Sequence, residues 1–115
     1  MKKILAVDDS ASMRQMVCFT LKKAGFAVTE AKDGQEAFDI AKASQFDVVI
    51  SDVNMPIMDG ITLVQNLRTL PDFKFTPILM LTTESGTDKK TEGKAAGATG
   101  WIVKPFNPDQ LLAVI

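Results

Sequence analysis

The alternation of short aliphatic runs with longer amphipathic segments is the feature that most constrains the fold of this chain. Apolar residues are continuous in buried parallel strands, whereas in amphipathic helices they recur every three or four positions. The short runs predict strands at 3–7, 26–30, 47–51, 78–81 and 100–103, of which 26–30 alternates like an edge strand. The longer segments predict helices at 12–24, 35–43, 87–96 and 108–115, and another that begins near Ile61.

Five strands that alternate with five helices predict an α/β fold of the (βα)5 type, with a doubly wound parallel sheet covered by helices on both faces. The commonest order for five such strands is 2-1-3-4-5, with a topological switch point between strands 1 and 3. The 115 residues contain no internal repeat or linker, and single domains commonly have about 100–150 residues. We therefore expect one domain, residues 1–115.

Composition excludes several classes of function. The chain has no histidine, which excludes Ser-His-Asp triads and histidine-ligated zinc, and its single cysteine, Cys18, cannot form an internal disulfide. The net charge of −1 lacks the basic excess of a nucleic-acid-binding protein. Lys2 and Lys3 precede an apolar run too short for an export signal, and no stretch is long enough to span a membrane. We expect a cytoplasmic protein.

Polar side chains follow the predicted strands at their carboxyl ends, where ligands bind in doubly wound folds. Asp8 and Asp9 follow strand 1 and Asp52 follows strand 3, so the predicted strand order brings the three carboxylates together. Strands 4 and 5 add hydroxyl groups and an ammonium group at the same edge: Thr82, Thr83 and Lys104.

Electrostatic repulsion indicates what this edge of the sheet binds. Two carboxylates about 5 Å apart repel by about 3 kcal/mol at an effective dielectric constant near 20, and three such pairs approach the stability of a whole domain. One lysine cannot balance three acids, so a proton or a hard divalent cation is needed. Carboxylate oxygens without imidazole or thiolate ligands suit Mg²⁺ or Mn²⁺. A metal, a carboxylate nucleophile, a hydroxyl and a lysine are suited to phosphoryl transfer.

Each of these residues also has a simpler structural explanation when it is taken alone. An Asp-Asp pair commonly forms a turn or a helix cap, and Lys104-Pro105 is an ordinary loop sequence. The methionines and the cysteine are expected in the core, since methionine fills gaps and free cysteine packs as a small apolar group: Met13, Met16, Met80 and Cys18. Lysines 89, 90 and 94 are expected on a solvated helix face. The coincidence of polar residues at four strand ends favours the functional explanation.

Four segments resemble response-regulator receiver domains of the single-domain chemotaxis (CheY-like) type, and the resemblance covers the entire chain. They are V-D-D-S at 7–10, S-D-V-N-M-P-I-M-D-G at 51–60, L-T-T-E at 81–84 and V-K-P-F at 103–106. The resemblance implies the flavodoxin-like receiver fold. It also implies a phosphorylation switch in a two-component system that is not an enzyme in the usual sense.

The resemblance assigns roles to individual residues. Asp52 would accept the phosphoryl group from a histidine kinase, and Lys104, aimed by a cis peptide before Pro105, would pair with the phosphoryl oxygens. Mg²⁺ would be bound directly by Asp9, Asp52 and the backbone carbonyl of Asn54, and through water by Asp8. Thr82 would move toward the phosphoryl group and let the aromatic residue on strand 5, here Trp101, turn inward. Trp101 is larger than the tyrosine common there, and Thr83 is bulkier than the usual small residue.

The expected partners are a chemotaxis-type histidine kinase, a flagellar motor switch protein and a phosphatase, with the protein itself monomeric. A phosphate sink, or a single-domain receiver outside chemotaxis, is the alternative within this class. A small magnesium-dependent phosphatase would need an acid two residues after its nucleophile, where this chain has Asn54. A flavodoxin-type cofactor carrier would need a phosphate-binding loop after strand 1 in place of Asp8 and Asp9.

Overall fold

A computed structural model of the chain describes residues 2–52, 58–82 and 97–103. Its strands are β1 (Lys3–Val7), β2 (Ala27–Ala31), β3 (Val48–Asp52), β4 (Ile78–Thr82) and β5 (Gly100–Val103). Its helices are α1 (Ala11–Lys23), α2 (Gly34–Ala43) and α3 (Gly60–Leu67), and a 3₁₀ turn covers Pro71–Phe73. The helices predicted at 87–96 and 108–115 lie outside the described residues.

All five strands are parallel and form one sheet in the order β2-β1-β3-β4-β5, as predicted from the sequence. The register aligns the carboxyl ends of the strands: Val7 lies opposite Ala31 on one side and opposite Ser51 on the other. Thr82 lies opposite Val103 in the same way. The last residues of the strands therefore share one edge, which we call the carboxyl edge, and their first residues share the amino edge.

The sheet has an apolar layer on each face, which explains why its strands are apolar at consecutive positions. In β1, Ile4 and Ala6 pack with α1, whereas Leu5 and Val7 pack with α2 and α3. Side chains of successive strand residues point to opposite faces, so a strand covered on both sides needs apolar residues at every position. The fold is thus doubly wound.

Each described helix begins at the carboxyl edge with a polar N-cap residue. The side chain of Asp33 accepts a hydrogen bond from the Glu36 amide at 2.7 Å, and Asp59 accepts one from the Thr62 amide at 2.7 Å. Ser10 caps α1 through a longer bond. Such caps satisfy amide groups that have no partner within the helix. They also fix where the loops at this edge end.

The structure corrects one prediction about the core and shifts several boundaries. Met16 is 53% exposed, so its assignment to the core was wrong, whereas Met80 and Cys18 are buried. The buried residues of α1 are Val17, Cys18, Thr20 and Leu21, and Met16 lies outside this buried face. Strand β2 and helix α1 are each shifted by one residue from the prediction. Asp52 is the last residue of β3 rather than the first of a loop.

Candidate functional site

Three carboxylates meet at the carboxyl edge, where the neighbouring strands β1 and β3 end. Asp8, Asp9 and Asp52 each offer an oxygen atom, and these three atoms lie within 4.8 Å of one another. Asp8 and Asp52 are buried, with 2% and 8% of their surface exposed, and Asp9 is exposed. We call these residues the acid cluster. The fold therefore places together the three acids that the sequence analysis singled out.

Hydrogen bonds hold both the backbone and the side chain of Asp8. Its amide donates to the carbonyl of Ala31 at 3.1 Å, which continues the β1–β2 pairing one residue beyond the strand. Its carboxylate accepts from the Ser10 amide at 2.9 Å, within the short turn that leads into α1. Charge-assisted hydrogen bonds of this kind fix a carboxylate in one orientation. The turn from β1 to α1 thus presents Asp8 and Asp9 at a defined position.

Asp52 lies where β3 meets the start of α3. The buried hydroxyl of Ser51 donates to the Asp52 carbonyl at 2.9 Å. Gly60, the first residue of α3, packs directly on that carbonyl, and a Cβ atom at this position would collide with it. Only glycine permits such a close approach of two backbone segments. The start of α3 is therefore fixed against the backbone of Asp52.

The donor set of the acid cluster fits a hard divalent cation. Its described members contribute carboxylate oxygens, and Mg²⁺ and Mn²⁺ prefer such ligands to the imidazole and thiolate ligands that zinc commonly takes. Two of the three acids are buried, so water screens the repulsion between Asp8 and Asp52 only weakly. A cation bound between β1 and β3 would relieve that repulsion. The residues present fit the metal that the sequence analysis predicted.

Other predicted site residues are placed only in part. Thr82 is the last residue of β4, the strand beside β3. Trp101 is in β5, which pairs with the other side of β4, and lies opposite Met80. Asn54, Thr83 and Lys104 lie outside the described residues, as does Pro105 with its predicted cis peptide. Their roles stay predictions.

Arg14 contacts the acid cluster, although no sequence pattern singled it out. Its Nη1 atom donates to the backbone carbonyl of Asp8 at 2.8 Å, and its Nε atom donates to Glu30 on β2 at 3.2 Å. An arginine in the second turn of an amphipathic helix is ordinary, and its two partners are 6 and 16 residues away in the chain. No local pattern could have indicated these contacts.

Comparison with known families agrees with this geometry. The family model described as the response regulator receiver domain matches residues 4–115. The chain belongs to this family, whose fold and acid cluster it shares. Among the described residues, no helix combines the length and apolar character needed to cross a membrane.

Several relatives are chemotaxis proteins. The chain is 45% identical over 105 residues to chemotaxis protein CheY-3 of Vibrio cholerae, covering 90% of this chain and 81% of that one. The crystal structure of Vibrio cholerae CheY4 is similar with a TM-score of 0.96 and 60% identity, covering 99% and 95% of the two chains. The chain is thus a receiver domain homologous to chemotaxis response regulators.

A more distant structure carries a metal ion. It is the receiver domain of the sensor histidine kinase PA1611 of Pseudomonas aeruginosa, with a TM-score of 0.92 and 25% identity, covering 98% of this chain and 93% of that one. A magnesium ion is coordinated in its active-site cleft. That observation on a relative agrees with the donor chemistry of the acid cluster.

Proposed function

We propose that residues 1–115 form one receiver domain that accepts a phosphoryl group on Asp52 and in response changes a protein-binding surface. The observation that carries this proposal is the acid cluster, in which a carboxylate that ends β3 lies beside two carboxylates from the end of β1. The partner that supplies the phosphoryl group is a histidine kinase. The domain acts as a monomer in the cytoplasm and is a switch rather than an enzyme with a separate substrate.

The residues that would hold the metal are Asp8, Asp9, Asp52 and the backbone carbonyl of Asn54. Asp9 and Asp52 would bind Mg²⁺ directly, and Asp8 would bind it through water. When bound, the ion neutralises charge on the phosphoryl oxygens and on the acids around them. The burial of Asp8 and Asp52 supports this assignment, because it strengthens the attraction between the acids and a cation.

The transfer itself forms one bond and breaks one. A carboxylate oxygen of Asp52 attacks phosphorus while the bond from phosphorus to the histidine nitrogen of the kinase breaks, and the departing imidazole retains the bonding electron pair. Asp52 becomes an acyl phosphate, as carboxylate nucleophiles do in phosphoryl transfer. The Lys104 ammonium pairs with the phosphoryl oxygens and stabilises the product. Gly60 and Ser51 keep the backbone of Asp52 in place, so the carboxylate is oriented before the donor arrives.

The switch extends from Thr82 to Trp101. Thr82 moves toward the phosphoryl group, and Trp101 on the adjacent strand then turns inward and remodels the surface around β5. The pairing of β4 with β5, with Thr82 opposite Val103, supports this route because the two strand ends are neighbours. The relatives named as chemotaxis proteins favour a flagellar motor switch protein as the output partner and a phosphatase as the reset. A phosphate sink without an output partner remains the alternative.

Phosphorylation by a small donor tests the proposal. The purified protein is incubated with Mg²⁺ and acetyl phosphate, and its intact mass is measured. We expect one added phosphoryl group, which does not form when Mg²⁺ is chelated before acetyl phosphate is added and which is absent in Asp52→Asn. Asp47→Asn is the matched control, since Asp47 lies at the amino edge, and it should be phosphorylated like the parent. Equal phosphorylation of Asp52→Asn and the parent would contradict the site assignment.

A separate measurement distinguishes the switch from the sink. Beryllofluoride mimics the phosphoryl group, and binding of the activated protein to a motor-switch peptide can be compared with binding of the untreated protein. A gain in affinity upon activation is expected for a motor regulator. No gain would favour the phosphate sink.

A further inference from the structure

Arg14 joins the turn that carries the acid cluster to the edge strand of the sheet. Its Nη1 atom donates to the Asp8 carbonyl at 2.8 Å, and its Nε atom pairs with the Glu30 carboxylate at 3.2 Å. Only 19% of the Arg14 side chain is exposed, whereas 42% of the Glu30 side chain is exposed. The guanidinium is therefore largely shielded, and it bridges α1, the end of β1 and β2.

The Asp8 carbonyl is the point where the chain leaves the sheet, so its contact with Arg14 controls the direction of the turn. The Asp8 amide is already held by Ala31, and its carboxylate by Ser10. The hydrogen bond from Arg14 fixes the remaining polar group of the same residue. The rigid fork of a guanidinium can hold two acceptors at once, which the single ammonium of a lysine does less well.

We propose that Arg14, held in place by Glu30, is a positioning residue for the metal-binding acid cluster. It acts through the Asp8 backbone and touches neither the metal nor the phosphoryl group. This inference rests on the proposed magnesium site. It adds to that site a side chain that favours cation binding by fixing the Asp8 backbone, although its own charge is positive.

The charge of Arg14 and its position have opposite effects on magnesium binding, which makes the proposal testable. A positive charge beside the acid cluster repels a cation, so loss of the charge alone would strengthen Mg²⁺ binding. Loss of the hydrogen bond to Asp8 would loosen the ligands and weaken binding. Residues that orient metal ligands typically contribute 10- to 100-fold in affinity. The sign of the change therefore identifies the dominant effect.

Isothermal titration of Mg²⁺ into the parent, Arg14→Gln, Arg14→Lys and Glu30→Ala tests the proposal. We expect about 10-fold weaker binding for both Arg14 variants, although the lysine keeps the charge, and a smaller loss for Glu30→Ala. The double variant Arg14→Gln/Glu30→Ala should bind like Arg14→Gln alone, since the two residues act as one unit. Lys42→Gln is the matched control: it removes one positive charge from the exposed ion pair with Asp39 and should bind like the parent.

A second readout separates positioning from general stabilisation. Thermal unfolding is measured for each variant, and the titrations are made at a temperature where its amide NMR spectrum shows a folded protein. Unchanged Mg²⁺ affinity with a lowered melting temperature would overturn the proposal, as would tighter binding by Arg14→Gln. If Arg14→Gln fails to fold, Arg14→Lys and Glu30→Ala decide the matter in the same way. A parent protein that binds no Mg²⁺ would instead overturn the proposed function.

Discussion

The two edges of the sheet use charge in opposite ways. At the amino edge, the Arg68 side chain donates to backbone carbonyl oxygens of Phe73, Thr76 and Gly97 at 2.7 to 2.8 Å, which closes the turns around the starts of β4 and β5. Here the Lys3 amide also donates to Asp47 at 2.8 Å. At the carboxyl edge, three acids of like charge lie within 4.8 Å of one another.

This difference predicts at which edge an added cation has its effect. Arg68 meets acceptors from its own chain, and burial lowers the pKa of its guanidinium without preventing its protonation near pH 7. The acid cluster gains most from an added cation, because each of its members repels the other two. The amino edge is thus stabilised by hydrogen bonds within the chain, whereas the carboxyl edge is where a bound cation would reduce repulsion.

The largest expected effect is at the amino edge. Arg68→Ala removes the donor for three carbonyl groups from two segments of chain and should lower the free energy of unfolding by about 3 kcal/mol, measured by urea denaturation. Magnesium affinity should stay within about twofold of the parent, because distant sites act independently. Arg68→Lys keeps one donor group, so its free energy of unfolding should lie between those of the parent and Arg68→Ala. A loss of Mg²⁺ binding in folded Arg68→Lys would show that the edges are coupled.

A pair of identical substitutions at the two edges should have opposite effects. Asp8→Asn removes one charge from the acid cluster but can still accept from the Ser10 amide, so it should stabilise the metal-free protein by about 2 kcal/mol. Asp47→Asn weakens the charge-assisted bond from the Lys3 amide and should destabilise by about 1 kcal/mol. Urea denaturation with and without Mg²⁺ measures both. Destabilisation by Asp8→Asn without metal would contradict the repulsion argument.

A pH titration of stability tests the burial of Cys18 in α1. Burial, with a further contribution from the negative charge of Glu30, raises the pKa of the Cys18 thiol from 9.0 to about 11. An unfolded chain therefore releases this proton first, and stability should fall as pH rises from 9 toward 11. The loss attributable to Cys18 should be about 1 kcal/mol at pH 10.

The control for this titration is Cys18→Ala. Its baseline stability is lower because the side chain is truncated, but the decline between pH 8 and 10 should be shallower than in the parent. The slope is obtained from urea denaturation at several pH values. Parallel declines for the two proteins would show that Cys18 does not titrate in this window.

Much of the sheet could be predicted from the sequence because its strands carry a strong local signal. The continuous apolar runs of β1, β3 and β4 place each strand within about one residue, and strand order follows from the commonest topology. Three acids at the ends of β1 and β3 then had to converge. This part of the site depends on strand order and on the position of the acids in the sequence.

Contacts between distant parts of the chain could not be predicted in the same way. Arg14 and Arg68 each follow an apolar helical residue, so their local sequences look alike. Arg14 nevertheless donates to the Asp8 carbonyl, and Arg68 donates to carbonyl groups up to 29 residues away. Met16 fits the apolar spacing of α1 but lies outside the buried stripe, because Val17, Cys18 and Leu21 already fill the face toward the sheet. Periodicity gives the width of a helix face only approximately, and packing decides its centre.

Backbone amide NMR during a Mg²⁺ titration is the decisive test of whether the acid cluster binds a divalent cation. We expect saturable shifts at Asp8, Asp9 and Asp52, with the amides of Lys3, Asp47 and Arg68 at the amino edge unchanged. Absence of shifts at the three acids up to high millimolar Mg²⁺, or equal shifts at both edges, would contradict this expectation.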